Sequence, residues 1–437
     1  MNKLQQLIQQ LCPNGVEYKK MGDLGVFENI GVDKKIVAGQ PLVTLLNYVD
    51  VYKNMYIDNK IPQMVVSATE KKIQSCSCEK GDIFITPTSE TRDDIGHASV
   101  IVENLINTVY SYHIMRFRLT KANMITSFFI RYLFETDIVQ KQICKLAKGL
   151  TRFGLSKYDF AKIEIPLPPL PVQEEIVRIL DKFSLLSAEL EAELELRKKQ
   201  YDFYRNRLLS FDSYSVSNTD ESSSTGITYH KGYYPLLVKW KTLGEIGTFT
   251  KGYGILKSDF MANGFPCIHY GQIHTHFNTF AMKNKTYISE DLAKKCRKAK
   301  TGDLIIASTS EDVDACCKAV AWLGNYEVAV SGDAHIFSHN QNPKYVAYLF
   351  QTDMFQKQKA TCIVGAKVIR VKSESMEKFC FPFPPIEEQE RIVKILDRFE
   401  SLVNDLSQGL PAEIAAVQQQ YEYYRNKLLT FPRKDIA

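Results

Sequence analysis

The sequence predicts an α+β protein: two similar globular domains joined by two long helices that pack as an antiparallel coiled coil, with pseudo-twofold symmetry from a tandem duplication. Three observations carry this reading. Four segments recur in the same order at nearly constant spacing. A proline-rich exit closes the mixed strand-and-helix part of each half. Beyond each exit, apolar residues step by fours and threes.

The recurrence comes first because a missed repeat distorts every later inference. IVRILDKF (176–183) returns as IVKILDRF (392–399), displaced by 216, and YRNRLLSF (204–211) returns as YRNKLLTF (424–431), displaced by 220. Upstream, VEYKKMGDLGVF (16–27) matches VKWKTLGEIGTF (238–249) at 222, and GDIFITPTSE (81–90) matches GDLIIASTSE (302–311) at 221. Each displacement is close to half of the 437 residues.

Residues 1–165 read as the first globular domain, with strand-like runs at 43–46, 83–86 and 113–119 and a helical patch at 127–145. PLPPLP (166–171) then opens a helix over 166–211, with Pro171 at its entry, Glu174 and Glu175 in its first turn and Arg205 and Arg207 at its end. Residues 212–236 form a Ser-rich linker, since 212–226 hold six serines and little that could build a core. Residues 237–385 are the second globular domain, ending in FPFPP (381–385), and residues 386–431 are the second helix, started by Glu387, Glu388 and Glu390.

Heptad stepping places Ile176, Leu180, Phe183, Leu190, Leu194, Tyr201, Tyr204 and Leu208 on one seam. The second seam holds Ile392, Leu396, Phe399, Val403 and Leu406, takes an extra four-residue step through Leu410 to Ile414, and resumes at Val417, Tyr421, Tyr424 and Leu428. That stutter coincides with Gly409 and Pro411, so the second helix is expected to bend or break there. A single apolar stripe would ordinarily pack on its own domain; two equivalent stripes have each other as partners.

Composition excludes a disordered or fibrous chain, at 45% hydrophobic and 24% charged. Ten cysteines without a framework and the lack of a leader-like start suggest a reduced, cytoplasmic protein. No apolar run approaches the roughly 18 residues of a membrane helix. The net charge of +5 is uneven. Residues 1–165 carry 21 basic and 17 acidic side chains and residues 237–385 carry 19 and 13, whereas the helices and linker carry no excess. Paired basic domains suit a DNA duplex, whose half-sites share their symmetry.

The expected DNA contacts are basic and polar loop residues. In the first domain these are Lys34, Lys35, Thr88, Ser89, Arg92, Lys148, Thr151 and Arg152. In the second they are Lys251, Tyr253, Lys257, Thr309, Ser310, Lys367 and Arg370. His113 and His335 read as equivalent structural positions. No catalytic constellation emerges: His269, His274 and His276 lack metal-site spacing, Cys316 and Cys317 are merely adjacent, and no phosphate-binding loop or nucleophile elbow occurs.

PVQEEIVRILDKF (171–183) and PIEEQERIVKILDRF (385–399), each followed by YRNRLL or YRNKLL and each preceded by a variable globular domain, resemble the specificity subunit of type I restriction and modification enzymes. The resemblance covers nearly the whole chain. It implies that 1–165 and 237–385 are target-recognition domains, each reading half of a split DNA sequence, and that the helices are spacers. It also implies a non-catalytic subunit that binds double-stranded DNA, two methyltransferase subunits and restriction/translocase subunits. S-adenosylmethionine, ATP and Mg would then belong to the partners, with no cofactor, metal or membrane for this chain. The proline pairs 168–169 and 384–385 lack the Asn/Asp and Tyr/Phe flanks of an adenine methyltransferase motif, so base flipping would fall to a partner. A helix of roughly 55 Å would cap the separation of half-sites at about 16 base pairs. Two other readings stay open: the recognition subunit of a split-site system whose partner fuses methylation and cleavage, and a coiled-coil adaptor without DNA.

Overall fold

The structure, a computed structural model, describes residues 3–211, 238–365, 368–405 and 407–434. The chain divides into two compact units: residues up to Glu191 together with those from Glu413 onward, and Ala192–Ala412. The Ser-rich stretch, Lys367 and Leu406 lie outside the described residues.

In the first unit a five-stranded sheet runs in the order Gly25–Glu28, Met115–Leu119, Ile83–Ile85, Ala98–Ile101, Tyr56–Ile57. Ile83–Ile85 and Ala98–Ile101 are buried along their whole length, as central strands covered on both faces must be. A four-stranded sheet, Met64–Ser67, Leu42–Leu46, Leu105–Tyr110, Ser77–Cys78, packs its own apolar cluster around Leu45, Val109 and Phe84. The helical patch is two helices, Ser127–Phe134 and Asp137–Leu146. They separate because Thr136 adopts an extended conformation (φ −86°, ψ 151°) and its hydroxyl donates to the Leu133 carbonyl at 2.6 Å.

The second unit repeats this plan strand for strand. Its five-stranded sheet is Gly247–Lys251, Ala334–His339, Leu304–Ala307, Lys318–Trp322, Phe280–Ala281, and its four-stranded sheet is Thr286–Ile288, Phe265–Ile268, Val328–Val330, Lys298–Ala299. Registers fix the true equivalences: Phe117 faces Phe27, and Phe337 faces Phe249. His335 therefore corresponds to Met115, not to His113. The two histidines differ accordingly: His335 is buried on the Ser308 hydroxyl at 3.0 Å, whereas His113 is exposed beside Tyr112.

The first spacer is one helix, α1 (Leu170–Leu209); the second is two, α2 (Ile386–Asn404) and α3 (Leu410–Leu429), interrupted where Gly409 and Pro411 stand. Phe183 of α1 stacks on Tyr424 within the first unit, and Tyr204 of α1 stacks on Phe399 within the second. The seam also does something the stepping did not separate. Ile176 and Leu180 belong to the first domain's core, and Ile392 and Leu396 to the second's. Each domain also takes in the end of the other half's helix: Leu428, Leu429 and Phe431 in the first unit, Leu208, Leu209 and Phe211 in the second. Leu190, Tyr201, Val403 and Val417 are buried and Leu194 is half-buried, but Tyr204 and Tyr424 keep 37% and 40% of their surface.

Buried polar clamps dock the spacers. Gln173, fully buried, accepts the Thr126 amide (3.0 Å) and donates to the Met124 and Pro168 carbonyls. Gln389 does the same with the Asn342 amide, the Gln341 side chain and the Pro384 carbonyl. Tyr132 donates to Asp181 at 2.6 Å, and Tyr348 to Asp397 at 2.8 Å. Every such pair obeys the repeat, although one acceptor changes from the Met124 carbonyl to the Gln341 side chain.

Candidate nucleic-acid interface

In the first unit the chain leaving helix Asp137–Leu146 turns back on itself. Lys148 and Gly154 exchange backbone hydrogen bonds of 3.1 and 2.9 Å, closing a hairpin over 148–154. The turn depends on Gly149, whose φ is +137° and where an added Cβ would collide with the Arg152 carbonyl. The returning strand, Phe153–Gly154, pairs with Thr88–Ser89. Arg152 donates to the Thr88 hydroxyl at 3.3 Å, and the Arg92 guanidinium sits 4.9 Å from the centre of the Phe153 ring.

Beneath the hairpin lies a polar network. Ser89 donates to Asp94 at 2.6 Å, and Asp94 also holds His97 and Tyr52 at 3.0 Å. Burial would push the Asp94 carboxyl up, but the bonds from Ser89, His97 and Tyr52 outweigh it and hold the group below its ordinary range. Tyr48 donates to the Thr88 carbonyl at 3.1 Å. Ser89 is thus buried and committed to support. Lys148, Thr151, Arg152 and Arg92 are exposed. Lys34 and Lys35 are exposed on a separate loop, with Lys35 2.9 Å from Asp33.

In the second unit the described residues 364–365 and 368–370 close in the same way. Val364 and Arg370 exchange backbone bonds, Gly365 takes φ +115°, and Ile369–Arg370 pairs with Thr309–Ser310. Because Thr309 faces Arg370 and Thr88 faces Gly154, Arg370 stands where Gly154 does. Arg152 corresponds instead to Val368. Arg370 lies 3.6 Å from Asp333, which is also 3.5 Å from the Thr309 hydroxyl. Thr309 is buried, and a ring nitrogen of His274 meets its carbonyl at 3.1 Å. Ser310 accepts the Asp312 amide at 3.1 Å. Lys251 ends the edge strand, Tyr253 bridges Ser331, and Lys257 occupies a short helical turn over Lys257–Asp259; both lysines are exposed and Tyr253 is half-buried.

Residue type alone does not mark the supports: Asp94, Tyr48 and Tyr52 in the first unit, Asp333 and Lys359 in the second, and His274, which stands out only as a histidine without metal-site spacing. Lys359, 1% exposed, donates to the carbonyls of Val313, Asp314 and Cys316 and pins the loop beside the hairpin. Only the polar character of 88–97 hints at Asp94. Among the described residues no group of three or more His, Cys, Asp or Glu is placed to hold a metal ion, and no described helix is long and apolar enough to cross a membrane.

Hairpins that expose Lys148 and Arg152 in the first unit and Arg370 in the second present cationic surfaces suited to an anionic partner. Comparison with known proteins agrees. The type I restriction modification DNA specificity domain model matches residues 13–196 and again 235–416. The chain belongs to that family. The role of these specificity subunits is recognition of DNA sequence, and the two matched segments are tandem recognition domains. The chain is 35% identical over 301 residues to the EcoR124I/EcoR124II specificity subunit of Escherichia coli, covering 65% of this chain and 67% of that one. It is 31% identical over 296 residues to a putative type I restriction enzyme specificity subunit of Haemophilus influenzae, covering 65% and 68%. A solved structure described under complex assembly and conformational transition of the type I R-M system shares the fold at TM-score 0.57 and 16% identity, over 98% of this chain and 99% of that one.

Proposed function

We propose that each recognition domain of this specificity subunit reads one half of a bipartite DNA target, that the spacer helices set the gap, and that the chain directs adenine methyltransferase and restriction subunits to the site. On this reading the chain is not itself an enzyme. S-adenosylmethionine, ATP and Mg belong to the partners, and the complex works in the cytoplasm. The observation that carries the reading is the hairpin closure that both duplicated domains share in its bridge, turn glycine and strand pairing, but with different side chains. Lys148, Thr151, Arg152 and Arg92 in the first domain, and Arg370 with Lys367 in the second, contact DNA. Lys34, Lys35, Lys251, Tyr253 and Lys257 add contacts from neighbouring loops, while Thr88, Ser89, Thr309 and Ser310 brace the hairpins.

The test is long-read methylation mapping in cells that carry this chain with its methyltransferase partner. It should return two specified half-sites separated by a fixed, unspecified gap. Exchanging residues 16–165 for those of another family member should change one half-site and leave the other. A single continuous site, or a change in both halves, would overturn the proposal.

A further inference from the structure

Leu150 stands at the tip of the first hairpin, 95% exposed, the highest exposure of any large apolar side chain among the described residues. Exposure alone decides little, because single surface leucines are common. Its support is what sets Leu150 apart. The preceding Gly149 fixes the turn through a conformation that other residues resist. The base of the hairpin is closed by the Lys148–Gly154 bridge, sewn to Thr88–Ser89, bonded through Arg152 to Thr88 and packed through Phe153 under Arg92. An apolar side chain is thus held out on a braced two-stranded ribbon, between Lys148 and Arg152.

That pattern suits a duplex. Lysine and arginine reach phosphates, which leucine cannot bond, so the central residue faces what lies between the phosphate rows. A two-stranded ribbon enters the major groove, about 12 Å wide, but not the minor groove, about 6 Å wide. The apolar feature a base pair offers in the major groove is the thymine C5-methyl group. Resting on the reading that the first domain binds DNA, we propose that Leu150 is a specificity-determining residue that packs against a thymine methyl in the first half-site, with Lys148 and Arg152 on the flanking phosphates.

The experiment uses the full chain in complex with its methyltransferase partner and a duplex carrying the mapped target. Each thymine of the first half-site is replaced in turn by deoxyuridine, which deletes only the methyl group. For the wild type, one replacement should weaken binding about fourfold, the value of one buried carbon. Leu150→Ala should weaken binding to the unmodified duplex by at least as much and be insensitive to that same replacement. Its dependence on salt should match the wild type, whereas Arg152→Ala should lose about one unit of salt slope. Because Leu150 is exposed, Leu150→Ala should melt with the wild type, and Leu150→Met should retain sensitivity to the replacement.

A first half-site without thymine would overturn the inference. So would Leu150→Ala binding and discriminating as the wild type does, or losing salt slope instead of methyl sensitivity. Each of these leaves the half-site reading standing. A wild-type complex that fails to prefer the mapped duplex over a scrambled one would instead sink the reading itself.

Discussion

At their described residues the two hairpins share a closing bridge, a turn glycine and a strand pairing, and almost no side chains. Lys148, Gly149, Arg152, Phe153 and Gly154 of the first answer to Val364, Gly365, Val368, Ile369 and Arg370 of the second, and only the turn glycine is kept. Behind them the opposite holds: Gln173 and Gln389, Tyr132 and Tyr348, Asp181 and Asp397, Tyr421 and Tyr201 repeat with their bonding. Buried polar groups cannot drift without leaving partners unpaired, whereas exposed ones can change freely. The same fold thus presents different chemistry at each end of the target, and the two half-sites should differ in sequence.

The comparison is tested most severely at its constant part. Gln173→Ala strands one buried amide and two carbonyls, and should cost about 2–4 kcal/mol in urea unfolding. Gln389→Ala should cost the same. A cost confined to one of them would show that the two domains are not held by equivalent forces.

Next comes a difference inside the scaffold. Glu135 binds Arg131 and Arg425 and accepts from Tyr421 at 2.6 Å, and the equivalent Gln351 accepts from Tyr201 and donates to Thr279 at 2.8 Å. Glu135→Gln leaves two guanidinium groups without their anion and should cost about 2 kcal/mol. Gln351→Glu loses the donor to Thr279 and brings a second carboxylate near Glu400, itself bonded to Thr279 at 3.2 Å, so it should cost about as much. If the two residues interchanged freely, this junction would be as variable as the hairpins.

Much of this constant part is legible in the sequence, because repetition exposes it. The displacements near 220 announce two domains, and Gly409 with Pro411 announces the interruption between α2 and α3. What stays hidden has a physical cause. Ile176 and Leu180 step like a coiled-coil seam whether they face another helix or their own domain, so periodicity cannot reveal that they are core. That Leu429 and Phe431 complete the first domain depends on chain closure over the whole sequence. Arg152 and Arg370 look alike as residue types, yet register sets them on different positions of the hairpin, and register is not written in residue type.

A smaller effect separates the domains in acid. Burial depresses His269 and His335, and holds His339 down to about 4, all in the second unit. A histidine kept neutral in the fold takes its proton more readily when unfolded. Stability is therefore full above pH 6.5 and falls as pH drops from there towards 4, by about 2 kcal/mol at pH 5 for His339. In the first unit the Arg178 guanidinium, working against burial and helped by Lys3, holds Glu175 down to about 2. That contribution is intact above 4.5 and is lost only as pH falls towards 2. Hydrogen exchange at pH 5 should show the second domain loosening first, and His339→Asn, which can still accept the Gln341 amide, should lessen the loss.

The smallest effect on stability lies at a residue where the hairpins differ in charge. Arg370 is 65% exposed and its Asp333 partner 43%, at a separation of 3.6 Å, so solvent screens the pair and Arg370→Ala should change the unfolding free energy by less than about 0.5 kcal/mol. Binding should respond where folding does not. Removing one phosphate-reaching cation should weaken all DNA sequences alike and lower the salt slope by about one. If Arg370 instead reads a guanine edge, the variant will relax the second half-site at a single base pair and keep its slope. Methylation mapping beside a salt titration separates these outcomes. Gly154→Arg places the same cation on the equivalent residue of the first hairpin, where Gly154 has the Thr88 side chain close by. A first half-site that then resembles the second would show that this one position carries part of the difference between the two domains.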